Sequence, residues 1–548
     1  MNNIKKGPVV NKLLQIIFAV FILMICAIPA FYKAGIGAYH FDEPYQIMNG
    51  MSWRNVPVAP LSSYITGIIG EFVGWKWISF RYIAISINLF CILMGGFILY
   101  YRTRKYFLSL LITGSAVLIG TIFPNVHNLY GWDSWSKLML VLTMYTLLLY
   151  LYRPSYWLIS FIGLFSAITI LMRVPNIILI PIIFILICSS QNFCNYAERL
   201  KACTIYLVVV ISALFLIICL LFGSLSQYIS SFAEHQVADH GFLSLIRSFI
   251  GGIYKLLPTI SMLWATFKLF TFSNRVSKPL YCILACVVCI FLYYNLLLSK
   301  HGPYFGNELN YSTSFVILGL LTLIFYYRDN RRSYKFLATI AIFFIAAIPV
   351  VGSNTFWAKF ITWPILPIVC LFLFPYLNRA HKTLYTVFVI SILMYSYNGL
   401  RHSSFSDSGI IEANYRINVG HFKGIKTTTE KGKLIDALLR DYGPYNNEAY
   451  ENIVLRQGVD YIYEYLFLCR NNYLHNRFDL KESSNNEDYV NWVEQQVTNS
   501  KKTVALLYMI PKTENGDYDY SPSMLQTMLE NQLKPIVIRD QYVIYVRQ

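Results

Sequence analysis

Residues 39–50 read YHFDEPYQIMNG and residues 53–64 read WRNVPVAPLSSY, and both lie between two long apolar runs, 13–32 and 78–101. Two adjacent carboxylates, Asp42 and Glu43, therefore stand just past the end of a first membrane-length segment. Ionised groups at a membrane boundary are costly unless they are solvated, paired or used. Taken alone, an acidic pair is most simply a polar loop. Here Arg54, Pro57, Pro60 and several aromatics follow it, and that company favours a site.

Composition sets the class. Of 548 residues, 56% are hydrophobic and 13% charged, with a mean hydropathy of +0.48. Several runs reach the roughly 17–25 apolar residues that a helix needs to cross ~30 Å of hydrocarbon. The chain reads as a polytopic α-helical membrane protein. Its first run is too long for a removable signal peptide, lacks a small-residue cleavage site, and reads as a signal anchor.

A net charge of +17 would suit a nucleic-acid binder, but its distribution does not. Basic residues fall in short gaps between apolar runs, as at Arg102, Arg104 and Lys105, or Arg328, Arg331, Arg332 and Lys335. That is the pattern of cytoplasmic loops, with contacts to anionic lipid as a second use. No nucleic-acid partner is expected.

About thirteen spans are expected, near 13–32, 78–101, 106–124, 136–152, 155–172, 174–190, 203–222, 251–271, 279–298, 312–327, 336–350, 359–376 and 383–398. The fifth and sixth form a short hairpin around Arg173, Pro175 and Asn176. With the amino terminus inside, an odd count leaves the carboxyl terminus outside. The outward segments then collect the chemistry. Besides Asp42, Glu43 and Arg54 they hold Asp133 and Lys137 in PNVHNLYGWDSWSK, and His235 and Asp239 in YISSFAEHQVADHGF. Lys300 and Glu308 stand in SKHGPYFGNELNYS.

Composition turns polar after residue 398, so 1–398 is read as the membrane domain and 399–548 as a small soluble α/β domain outside the cytoplasm. Helices are expected at KTTTEKGKLIDALLRDYG, behind a threonine cap, and at EDYVNWVEQQV and SMLQTMLENQL; strands at KTVALLYMI and twice in PIVIRDQYVIYVR. No glycine-rich phosphate loop occurs, which argues against an ATP-driven pump. The eleven cysteines form no disulfide framework, since the tail holds only Cys469. Cys282, Cys286 and Cys289 have helical spacing but no histidine nearby and read as packing residues.

A first span, an outward loop opening with DEPYQ, and a Pro-Leu return at Pro60-Leu61 together resemble the GT-C glycosyltransferases. In detail the resemblance covers residues 12–190, and it is similar to the aminoarabinose transferases of lipid A and the protein O-mannosyltransferases. It implies a polyprenyl-phosphate-linked sugar donor, a glycan, lipid or protein acceptor, and reaction on the outer face, most simply at a bacterial inner membrane. One departure matters: where aminoarabinose transferases carry Lys-Pro-Pro-Leu, this chain reads Val58-Ala59-Pro60-Leu61, so the donor phosphate must find its cation elsewhere.

By that resemblance Asp42 is the base that takes the acceptor's proton, with Glu43 beside it and Asp133 as the second acid. A carboxylate within hydrogen-bond reach suits that task. A departing lipid phosphate needs positive charge or donors instead, and Arg54, Arg173, His235 and Lys300 qualify, with Glu308 beside them. Asp42 and Asp133 could share a divalent cation, Mg or Mn, through hard oxygen ligands; some GT-C enzymes use one and others do not. Plainer readings stand beside these. Asp133 also reads as a cap of the fourth span, Arg173 as a partner for a helix carbonyl or lipid phosphate, and the histidine-rich segment as an interfacial helix. An O-antigen or capsule polymerase or ligase is the alternative function. A transporter or flippase is a third, disfavoured by the absence of internal repeats.

Overall fold

The structure is a computed structural model that describes residues 8–37, 42–122, 130–190, 195–234, 283, 287, 334–348, 368–369, 412–455, 462–468, 485–511, 518–521 and 523–547. In chain order the helices are α1 (Pro8–Ala34), α2 (Asp42–Met48), α3 (Pro60–Val73), α4 (Trp77–Thr103), α5 (Tyr106–Ile122), α6 (Trp132–Tyr152), α7 (Tyr156–Met172), α8 (Leu179–Cys188), α9 (Tyr196–Phe222), α10 (Leu225–Glu234) and α11 (Tyr334–Ala347). Toward the carboxyl end follow α12 (Thr429–Asp441), α13 (Ile462–Phe467), α14 (Glu487–Asn499) and α15 (Met524–Gln532). The chain forms two compact units. The first gathers Met1–Ala34, Val56–Tyr64 and Arg81–Ser404, and the second Gly35–Asn55, Ile65–Phe80 and Phe405–Gln548.

Among the described residues, four helices are long and apolar enough to cross a membrane: Leu13–Ala34, Trp77–Thr103, Trp132–Tyr152 and Tyr196–Phe222. Shorter apolar stretches, Tyr106–Leu118, Tyr156–Met172 and Val174–Cys188, fall at other expected spans. The expected spans 251–271, 312–327 and 383–398 lie outside the described residues, as do nearly all of 279–298 and 359–376.

In the first unit α6 is the hub. Leu140, Val141, Met144, Tyr145, Leu147, Leu148 and Tyr150 are all buried, so the helix is enclosed nearly all round. It packs on α7 and α11, and α7 packs on α9. The Tyr145 hydroxyl donates to the Cys91 carbonyl at 2.7 Å and ties α6 to α4. By contrast, Val208, Ile211, Phe215 and Leu220 of α9 are exposed. An apolar face of that size belongs in lipid.

In the second unit a small antiparallel pair, β1 (Tyr415–Arg416) with β2 (Lys426–Thr427), takes up the chain that follows α1. Ile36 bridges Lys426, with Gly37 N–H donating to the Lys426 carbonyl at 2.7 Å. Gly37 has φ 72°, a left-handed value that a residue without Cβ adopts freely. Trp77 is fully buried, its ring edge-on to Phe422 and Tyr465 at 4.7 and 5.3 Å. A four-stranded sheet has the order β3 (Tyr450–Leu455), β4 (Thr503–Met509), β6 (Tyr542–Val546), β5 (Lys534–Ile538). The β3–β4 pairing is parallel and the others antiparallel. A parallel pair needs a crossover, and α14 lies in that connection, burying Val490, Val493 and Val497 against the sheet. Central β4 is covered on both faces, which is why KTVALLYMI carries no polar alternation.

The stretch between the first two spans, expected as an outward loop, contains two helices. Asp42 and Glu43 are the first two residues of α2. Pro60 opens the 14-residue α3 at a position where its missing N–H costs nothing.

Candidate functional site

The first unit brings together two of the predicted site residues. Helix α6 starts at Trp132 with Gly131 as its N-cap, and the Ser134 hydroxyl accepts from Gly131 N–H at 3.3 Å. Asp133 is thus not the cap. It sits inside the first turn, where its charge suits the helix end. Arg173 follows the last residue of α7 in extended conformation, and Pro175 is the second residue of a 3₁₀ turn over Val174–Ile178. Arg173 Nε lies 3.7 Å from Asp133 Oδ1, with side chains 8% and 18% exposed.

The turn that carries Arg173 is fastened on three sides. Asn176, fully buried, donates to Ser136 Oγ of α6 and to the Thr169 carbonyl of α7, both at 2.8 Å. Val174 N–H donates to the Val58 carbonyl at 2.9 Å. The Ser62 hydroxyl donates to the Met172 carbonyl at 2.8 Å. The Val58-Ala59-Pro60-Leu61 segment is therefore bound to the very turn that holds Arg173. Tyr228 of α10 adds a hydrogen bond to the Pro57 carbonyl at 3.1 Å.

One turn along α6 from Asp133, Lys137 is 3% exposed and donates from Nζ to Asn88 Oδ1 of α4 at 3.2 Å. In the sequence Lys137 reads only as part of an outward segment. The signal was its i, i+4 spacing from Asp133 on one helix face. Asn88, Ser136 and Asn176 were missed or left without a role, because a neutral polar residue in an apolar run carries no sign of what it faces.

A unit-charge pair about 4 Å apart gains about 4 kcal/mol at an effective dielectric near 20. Taking the two ions out of water costs several kcal/mol each. The Asp133–Arg173 pair is thus no net source of stability, and buried ions near membrane depth are by default functional.

The other predicted residues are distributed as follows. In the second unit, Asp42 is the first residue of α2 and Glu43 is 1% exposed. Helix α13 packs on α2 and carries Glu464, 2% exposed and hidden in the sequence among the aromatics of IYEYLF. Arg54 is exposed, its guanidinium 5.2 Å from the Trp53 ring centroid. His235, Lys300 and Glu308 lie outside the described residues. Among the described residues no group of three or more His, Cys, Asp or Glu side chains could hold a metal ion. Asp133 faces a guanidinium, so a cation there would meet like charge.

Fold and site together define a multi-pass helical membrane protein with an ion pair buried at the ends of its spans. No protein-family model matches the chain, and no curated protein does. Among solved structures it is similar to the oligosaccharyltransferase of Archaeoglobus fulgidus, at 13% identity over 90% of this chain and 69% of that one, with a TM-score of 0.47. It is also similar to ArnT from Cupriavidus metallidurans in the apo state, at 12% identity over 96% and 97%, TM-score 0.42. The same ArnT bound to undecaprenyl phosphate aligns at 10% identity over 98% of both chains, TM-score 0.40. At such identities the likeness says nothing about activity, which has to be argued from residues.

Proposed function

We propose that this protein is a membrane glycosyltransferase that moves a sugar from a polyprenyl-phosphate-linked donor to a glycan, lipid or protein acceptor outside the cytoplasm. The observation that carries this reading is the Asp133–Arg173 pair, 3.7 Å apart and largely buried where α6 begins and α7 ends. A guanidinium held at the end of a span suits a lipid phosphate, which sits at that depth and is recognised by Arg through fixed donors.

In the reaction, the acceptor hydroxyl oxygen attacks the anomeric carbon of the donor sugar while the bond from that carbon to the phosphate oxygen breaks. The hydroxyl proton goes to a carboxylate, the role that the DEPYQ resemblance gives Asp42. The electron pair leaves with the polyprenyl phosphate, whose charge Arg173 stabilises, and Asp133 keeps the guanidinium in place. Nothing stronger than a carboxylate is required of the base, because the proton is lost as the bond forms.

The test is Asp42→Asn in cells, with surface glycan and polyprenyl-linked sugars weighed by mass spectrometry. A glycan short by one sugar, with its lipid-linked donor accumulating, is the expected result. Single unpolymerised repeat units would identify a polymerase. Unchanged pools would overturn the assignment.

A further inference from the structure

Two thiols outside the proposed site are held almost at bonding distance. Cys188 is the last residue of α8, and Cys203 lies two turns into α9. Their sulfurs are 3.1 Å apart. A disulfide is about 2.05 Å long, so roughly 1 Å of closure separates the pair from a bond.

Packing holds both ends. On α8, Ile183, Leu186 and Ile187 are buried in the core of the first unit, and on α9 Ala202, Cys203 and Tyr206 are buried in the same core. Beyond Cys188 the chain is tied down again: Ser189 and Ser190 N–H groups close on Ile185 and Ile187, and Tyr150 of α6 donates to Ser190 Oγ at 3.3 Å. The contact thus joins two fixed helices, not two loops. The partners also differ usefully, since Cys188 is exposed and Cys203 buried. Exposed thiols meet oxidants; buried ones are slow to react unless a partner is presented to them.

We propose that Cys188 and Cys203 form a reversible oxidation site, an intramolecular disulfide that latches α8 to α9. The oxidant class is a hydroperoxide. The Cys188 thiolate attacks the peroxide, the O–O bond breaks, and the sulfur becomes a sulfenic acid with release of water or an alcohol. Cys203 sulfur then attacks the sulfenic sulfur, the S–O bond breaks, and hydroxide leaves to take up the Cys203 proton as water. Two thiols lose two electrons in all, and a thiol reductant returns them by exchange. The latch ties α8 to α9, and because neither thiol belongs to the proposed site it stands whether or not the sugar-transfer reading holds.

Full-length protein in membranes would be treated with hydrogen peroxide, alkylated, and digested for mass spectrometry. The expected product is one linked peptide pair holding Cys188 and Cys203, two hydrogens lighter than the reduced pair, and reversed by dithiothreitol. Cys188→Ser should abolish it. Cys203→Ala, which changes little volume, should leave Cys188 as a sulfenic acid that a dimedone probe traps. Over-oxidation of Cys188 with no link in the wild type would overturn the proposal, as would links scattered among the other cysteines.

Discussion

The ammonium of Lys137 donates to the carboxamide oxygen of Asn88 across 3.2 Å, joining α6 to α4 at a point that water scarcely reaches. Asp133 lies one turn away on α6, so this link sets the rotation of the helix that presents the carboxylate to Arg173.

Lys137→Met keeps the length and removes the charge. Hydrogen bonds between membrane helices average about 0.6 kcal/mol and reach ~1.7 kcal/mol. A double-mutant cycle with Asn88→Leu, measured by unfolding in mixed micelles, should give a coupling within that range. Sugar transfer should fall at least about tenfold, since a shift of roughly 1 Å at a positioning residue costs far more in rate than in stability. A fully active Lys137→Met protein would remove Lys137 from the site.

The Asp133–Arg173 pair makes an asymmetric prediction. Removing one member of a buried pair costs about 3–5 kcal/mol in well-buried cases, and the 18% exposure of Asp133 places this one lower, at about 2 kcal/mol. Arg173→Met and Asp133→Leu should each lower the unfolding temperature, and the double variant should recover part of the loss. Strict additivity of the two losses, within about 0.5 kcal/mol, would show that the side chains do not act as a pair. All three variants should be inactive in transfer.

Much of this architecture was legible in the chain, and the part that was not has a physical cause. Apolar runs of membrane length announced α1, α4, α6 and α9, because lipid demands uninterrupted hydrophobicity. Thr428, Asn486 and Ser523 each cap a carboxyl-terminal helix that their sequence signalled, with side-chain oxygens accepting from Lys431, Tyr489 and Gln526. Helices α2 and α3 were hidden, since seven and fourteen residues beside prolines read as loop. In the site, Asp133 and Arg173 were each named as residues, but their pairing was not. It depends on Asn176 fastening the turn to Ser136, a contact between positions 40 apart that no local pattern encodes.

Gly50 and Gly67 make a second test of long-range packing. A Cβ on Gly67 would stand 2.6 Å from the Gly50 carbonyl oxygen, and one on Gly50 would stand 2.7 Å from Gly67 N. Backbone meets backbone there, and neither can yield as a side-chain tip could. Gly67→Ala should cost about 1–3 kcal/mol, read as a lower unfolding temperature. Gly443→Ala serves as the control, since nothing lies within 4 Å of its added carbon. Equal effects of the two substitutions would mean that the glycine contact is not present in solution.

Asp441 closes α12 at the end where a carboxylate is electrostatically disfavoured. It is held by Arg539, through Nε at 3.0 Å and Nη2 at 2.9 Å, by Tyr542 Oη at 2.9 Å, and by Arg440 Nε at 2.9 Å. Burial pushes its carboxyl up, but the hydrogen bonds from Arg440, Arg539 and Tyr542 outweigh that and hold it below the ordinary value. A folded pKa below the unfolded one contributes stability that is present above about pH 4 and is lost as pH falls through the folded value. Tyr542 works at the other end: burial, then the adjoining carboxylate, pushes its hydroxyl up to about 12. Its contribution is complete below about pH 10 and disappears as pH rises through the folded value. Protection of the β6 amides from hydrogen exchange should therefore hold from about pH 5 to about pH 10 and weaken on either side. Asp441→Asn should flatten the acid limb, because asparagine has no proton to gain, and should shrink the alkaline limb without abolishing it, because burial still raises the Tyr542 hydroxyl while the carboxylate's share is lost. An acid limb that survives this substitution unchanged would place the titrating group elsewhere in the domain.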